Sequence, residues 1–235
     1  MMEEKVKKTI ELFKSEILDF IKINPYLFLG GGASANSLFL FKYATYFGDE
    51  KILDLSLNEF EKVYNTIDFE KVNSEKSLIA GYTGVAWLNQ YFVSQDLIEI
   101  DHDLFAFFDR LIFDFCKKDE SLGKFDLFYG ILGYGVYFLQ RSKYNKSNAD
   151  FYLNEIVNIM SRLAIRDSNG VFWNSDVFSE EKDKVNLGMA HGIPSIISFL
   201  AKVYKINGND LAKNLGNDCV LWLLSKKSPI KESLN

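Results

Sequence analysis

Four times along this chain a short run of small residues opens into an apolar, aromatic stretch of helical length, and that recurrence constrains the fold more than any other feature. The stretches are GGASANSLFLFKYATYF from Gly31, GYTGVAWLNQYF from Gly81, GILGYGVYFLQR from Gly130 and GIPSIISFLAKVY from Gly192. Aligned on those glycines, they are 50, 49 and 62 residues apart. A period of that size marks a repeated supersecondary unit, which buries its apolar face by stacking on its neighbours.

A second kind of helix lies between them. Leu53, Leu57, Phe60, Tyr64 and Ile67 form one apolar stripe; Leu104, Phe108, Leu111 and Phe115 a second; Tyr152, Ile156, Ile159 and Leu163 a third; Leu211, Leu215, Cys219 and Trp222 a fourth. Each stripe leaves a polar face, which suits an outer layer, whereas the glycine-led helices are apolar nearly all round, as an inner layer covered on both sides must be. Alternating inner and outer helices about an axis predict an all-α chain, an α/α toroid of helical hairpins, and 235 residues suffice for one large domain or two small ones. Ahead of it, Val6, Ile10, Phe13, Ile17, Phe20 and Ile21 mark an amphipathic helix expected to pack on the body. The longer last interval contains RDSNGVFWNSDVF, Arg166 to Phe178, in which Asn169-Gly170 predicts a tight turn and a small β-hairpin insertion at the rim. The tail SKKSPIKESLN, with Pro229 after a helix, is polar and expected to fray.

Composition narrows the partners. A net charge of −5 with acids interspersed among the basic residues gives no positive stripe for phosphates, so nucleic acid is not expected as a partner. The N-terminal MMEEKVKKTIELFKSEILDF lacks a signal-peptide apolar core, and no run of membrane-spanning length is free of charge; the chain is expected to be cytoplasmic and not an integral membrane protein. Cys116 and Cys219, the two cysteines, have no CxxC or Cys/His partner nearby, which predicts neither a disulfide framework nor a metal site and fits a reducing compartment. Both fall on helices as small buried hydrophobes.

His191 is the strongest candidate for chemistry. Ala190, Gly192 and Pro194 leave its imidazole little steric cover at the start of an apolar helix, where a histidine serves either as an acid/base group or only as a hydrogen-bonding entry residue. Asp126, in KFDLFYGILGYG just before the third glycine-led helix, has two readings: a cap for that helix, or a carboxylate aimed inward to orient His191. His102, flanked by Asp101 and Asp103, is expected at the surface with no role. Gly-x-x-Gly at Gly81 and Gly130 lacks the Lys-Ser/Thr of a phosphate loop and points to close helix packing. A glycosidase reading needs paired carboxylates, and only Asp126 presents itself.

NLGMAHGIP, FDLFYGILGYG and the repeated Gly-x-x-Gly helix starts closely resemble the lanthionine synthetase C-like proteins, the cyclases of lantibiotic biosynthesis and their relatives. The resemblance covers essentially the whole chain, but corresponds to the first part of a family member, about four of seven helical hairpins, so the expected toroid is incomplete and open. It implies a zinc enzyme that adds a peptide cysteine thiol to dehydroalanine or dehydrobutyrine to form a thioether ring, with His191 as acid/base and Asp126 as its orienting carboxylate. The family's zinc ligands come from a Trp-Cys-x-Gly-like and a Cys-His-Gly segment, and its catalytic arginine lies near the first; this sequence has none of these. The resemblance therefore implies the acid/base side of a site without the metal side: a chain that binds no zinc and is inactive alone, whose partners are a dehydrated precursor peptide, a completing chain or a modification enzyme. A noncatalytic peptide-binding or docking scaffold is the alternative.

Overall fold

All four glycine-led stretches are helices, and each is entered through the same closed turn. In the computed structural model, which describes residues 2–66, 74–175 and 184–227, the elements are α1 (Met2–Phe20), α2 (Ala33–Phe47), α3 (Glu50–Asn65), α4 (Tyr82–Val93), α5 (His102–Glu120), α6 (Ile131–Arg141), α7 (Lys146–Leu163), β1 (Ile165–Asp167), β2 (Gly170–Phe172), α8 (Ile193–Asn207) and α9 (Asp210–Ser225). The all-α class with a small hairpin is thus as the periodicity predicts. Directly before α2, α4, α6 and α8 stand Gly32, Gly81, Gly130 and Gly192. In every case the amide after the glycine donates to the carbonyl six residues before it: Ala33 to Tyr26 at 2.9 Å, Tyr82 to Glu75 at 2.7 Å, Ile131 to Lys124 at 3.2 Å and Ile193 to Asn186 at 2.9 Å. A Cβ on the glycine would lie 2.6, 2.3, 2.7 and 2.0 Å from those same carbonyl oxygens, so the turn admits no side chain there. The first unit corrects the sequence register by one residue: Gly31, at φ +116°, lies inside the turn and Gly32 closes it. On that register the first two spacings are both 49 residues.

The chain divides into two compact units, Met1–Asn89 and Gln90–Asn235, with the boundary inside α4. In the first, α2 and α3 pack closely, and the Ser37 and Ser56 hydroxyls each donate to the other's carbonyl at 2.7 Å. α1 attaches to α2 through Lys14, which donates to the Tyr43 hydroxyl at 2.9 Å, and through Tyr43 donating to Glu11. α1 thus packs on α2 as a helix, but only shallowly. None of its residues is buried, and Val6, Phe13 and Phe20 are exposed.

In the second unit α6 is the central helix, packed against α5, α7 and α8. Gly135 of α6 lets Phe199 of α8 approach to within 2.4 Å of where a Cβ would be. Two buried acids join α5 to α6: Asp119 accepts from the Tyr134 hydroxyl at 2.7 Å, and Asp109 accepts from Tyr137 at 2.7 Å and from Arg141 Nε at 3.1 Å. Removing one partner of such a buried pair typically costs ~3–5 kcal/mol because the other charge is left uncompensated.

The outer helices bury faces slightly rotated from their sequence stripes. α3 buries Ser56, Glu59, Phe60 and Val63 where Leu53, Leu57 and Tyr64 were expected. Phe108 and Phe115 of α5, Ile156 and Ile159 of α7, and Leu215, Cys219 and Trp222 of α9 are buried as read. In the antiparallel hairpin Ile165 pairs with Phe172 and Asp167 with Gly170, so the turn is Ser168-Asn169, one residue earlier than expected. Gly170, at φ +141°, sits against α9, where a Cβ would meet the Asp218 carbonyl at 2.2 Å. Phe172 stacks on Trp222 at 4.6 Å, and the Trp222 indole donates to Asp167 at 3.1 Å. Ile67, the end of the insertion at 176–178, and the tail from 228 with Pro229 lie outside the described residues.

Candidate active site

Asp126 and His191 occupy two of the four equivalent turns, and the packing of α6 on α8 sets those turns side by side. His191 immediately precedes the closing Gly192. In its own turn, the Asn186 carbonyl accepts from Ile193 while the Asn186 side chain accepts from the Gly188 amide at 2.7 Å, which fixes the loop ahead of the imidazole. Asp126 stands four residues before Gly130. The corresponding residue of the previous unit is Ser77, whose hydroxyl accepts from the Ala80 amide at 3.0 Å. Asp126 Oδ1 does the same work, accepting from Tyr129 at 2.9 Å and from Phe128 at 2.7 Å. The helix-cap reading of Asp126 is corrected. The carboxylate caps its own turn rather than the helix, whose N-cap is Gly130 with no side-chain bond.

The second oxygen makes a separate contact. Asp126 Oδ2 lies 2.8 Å from His191 Nδ1, although the two residues are 65 apart in sequence. The Asp126 side chain is 1% exposed and that of His191 24%, so the carboxylate is sealed in and the imidazole is partly open to solvent. A carboxylate offers only acceptors, so Nδ1 donates to it, and Nε2 becomes the nitrogen through which the ring exchanges protons. The ring plane is fixed from two sides: Phe128 meets it edge-on at 5.2 Å and Tyr129 lies parallel at 6.2 Å.

Those two aromatics were not singled out in the sequence, yet a signal existed. On the corrected register Tyr129 holds, in the third unit, the position His191 holds in the fourth, so ring-to-ring contact follows from the repeat. Tyr129, Leu187 and Met189 are all exposed, giving the loops that carry the pair an apolar surface.

The other candidates stay apart from this pair. His102 is the first residue of α5 and exposed. Cys116 and Cys219 are free and buried. Burial pushes the Cys219 thiol up to about 12 and the Cys116 thiol well above the ordinary range, the reverse of what a thiolate ligand needs. Among the described residues no group of three or more His, Cys, Asp and Glu side chains could hold a metal ion. No described helix is long and apolar enough to cross a membrane.

A family model described as lanthionine synthetase C-like protein matches residues 28–233. No curated protein matches the chain.

Proposed function

Because the chain belongs to the lanthionine synthetase C-like family, whose fold is a helical toroid, we propose that Asp126 and His191 are the acid/base half of a site that modifies dehydrated peptides. The match runs through both compact units, which supports one family domain over 1–235. In the family reaction a cysteine sulfur bonds to the β-carbon of dehydroalanine or dehydrobutyrine, the α-carbon takes up negative charge as an enolate, and a proton delivered there completes the thioether. His191 Nε2 supplies that proton, and Asp126 stabilises the imidazolium before transfer and holds the ring in register. The observation carrying this reading is the 2.8 Å contact between a sealed carboxylate and a partly open imidazole.

Zinc activation of the thiol would have to come from outside this sequence, which has neither a Trp-Cys-x-Gly nor a Cys-His-Gly segment. The chain is accordingly inactive alone and works with a completing polypeptide, in a cytoplasm where its two free thiols stay reduced. The exposed Tyr129, Leu187 and Met189 favour a second reading, a noncatalytic scaffold that grips a peptide. Replacing His191 and Asp126 with alanine, in a cyclisation assay complemented by a polypeptide that carries the zinc ligands, separates the two. Loss of turnover with peptide affinity retained supports acid/base chemistry; retained turnover supports the scaffold.

A further inference from the structure

α1 is held to its unit along one face and leaves a second apolar strip uncovered. Ile10, Lys14, Ile17 and Leu18 are half-buried on the side of the Lys14–Tyr43 contact, and no residue of the helix is buried outright. At about 100° per residue, Met2, Val6, Phe13 and Phe20 fall within about 40° of one another on a neighbouring strip. They are 82%, 52%, 54% and 44% exposed. Single exposed apolar residues are ordinary on any surface, but four in one row along a 19-residue helix form a continuous contact surface.

The charges beside the row select its occupant. Lys5 and Glu16 flank it on the same side, about 20° apart around the helix and about 16 Å apart along it. Both are exposed, and among the described residues neither has an ion-pair partner, whereas Lys7, Lys14 and Lys22 are paired with Glu3, Glu11 and Asp19. A positive charge toward one end and a negative charge toward the other match a second copy of the same helix running the opposite way. With residue numbers across the pair summing to about 21, Lys5 of each copy faces Glu16 of the other, Met2 meets Phe20, and Phe13 enters between Val6 and Thr9. A parallel pair would instead set Lys5 on Lys5 and Glu16 on Glu16. An anionic membrane surface suits α1 less well, because the helix carries five acids against four lysines. We infer that α1 is a self-association surface through which two copies of this chain pair, their α1 helices antiparallel.

The test is analytical ultracentrifugation of the full chain over ~5–500 μM, the range in which a contact of one helix on another is expected to associate. The native chain is expected to pass from monomer to dimer within it. Phe13→Ser is expected to weaken the dimer ~10-fold or more, since each contact loses two buried rings. Lys5→Glu and Glu16→Lys each set two like-charged pairs across the dimer, and each alone is expected to weaken it ~5-fold. An equimolar mixture of those two variants restores opposite charges at both places and is expected to dimerise as the native chain does. All three positions are exposed, so circular dichroism is expected to show the native fold in every variant. A chain that stays monomeric up to ~500 μM would leave the row to a different polypeptide and overturn the inference. So would a dimer that survives Phe13→Ser, or charge exchanges that leave association unchanged or that mixing does not rescue.

Discussion

Asp126 divides its two carboxylate oxygens, Oδ1 holding the backbone of its own turn and Oδ2 reaching His191 Nδ1 at 2.8 Å. This division predicts different outcomes for two substitutions. Asp126→Ala removes acceptors from two amides and the imidazole at a buried position, and is expected to cost ~2–4 kcal/mol of stability. Asp126→Asn keeps an oxygen for the turn and is expected to cost well under half of that. It presents an NH₂ to Nδ1, which must then accept, so the imidazole proton moves to Nε2. Nitrogen-15 spectra of the imidazoles check this, and with two histidines in the chain a His102→Gln background isolates the His191 signal. An unchanged tautomer in Asp126→Asn would contradict the role given to Oδ2.

The closed turns make a second prediction. Alanine at Gly192 would put a Cβ 2.0 Å from the Asn186 carbonyl oxygen, and at Gly130 2.7 Å from that of Lys124. Backbone cannot yield as a flexible side chain does, so each substitution is expected to cost ~3 kcal/mol or more. Gly216, inside α9, is the control: its nearest neighbour would be Leu200 Cβ at 3.7 Å, and Gly216→Ala is expected to stabilise by ~0.5–1 kcal/mol through helix propensity. Chemical denaturation midpoints measure all three.

The thiols give a prediction in pH. A folded Cys219 that ionises at about 12 rather than the ordinary 9.0 binds its proton more tightly than the unfolded chain does. Its contribution to stability is complete below pH 9 and is lost as pH rises toward about 12, falling by up to ~1.4 kcal/mol per unit; Cys116 acts in the same direction. Iodoacetamide at pH 8 is expected to label neither thiol in the native chain and both after unfolding. Metal analysis of the purified chain is expected to find well under one zinc per chain, and one tightly held zinc would contradict the absence of ligands proposed here.

Much of this was legible in the sequence because its signals are local. Glycine before an apolar run, small residues around His191 and an acid before Gly130 each report on backbone within a few residues, and the repeat multiplies them. What escaped depends on tertiary contact. The buried face of α3 includes Ser56 and Glu59 because Ser37 and its neighbours on α2 meet them, which hydrophobic periodicity does not encode. Asp109 and Asp119 are buried on α5 because Tyr137, Arg141 and Tyr134 on α6 satisfy them. The hairpin turn shifted by one residue because Gly170 is needed against α9 rather than at the turn. The apolar stripe of α1 has no buried residue although the helix meets α2, since a stripe reports capacity to pack and not how much surface a partner covers.

The most direct measurement is the rate of thioether formation on a dehydrated, cysteine-containing peptide when the chain is combined with a polypeptide carrying the family's Trp-Cys-x-Gly and Cys-His-Gly segments. His191→Ala is predicted to lower that rate by ~10²-fold or more with peptide affinity unchanged, the range expected for loss of a positioned acid/base group. A rate unaffected by His191→Ala, or an absence of turnover with the native chain while the peptide still binds, would contradict the assignment.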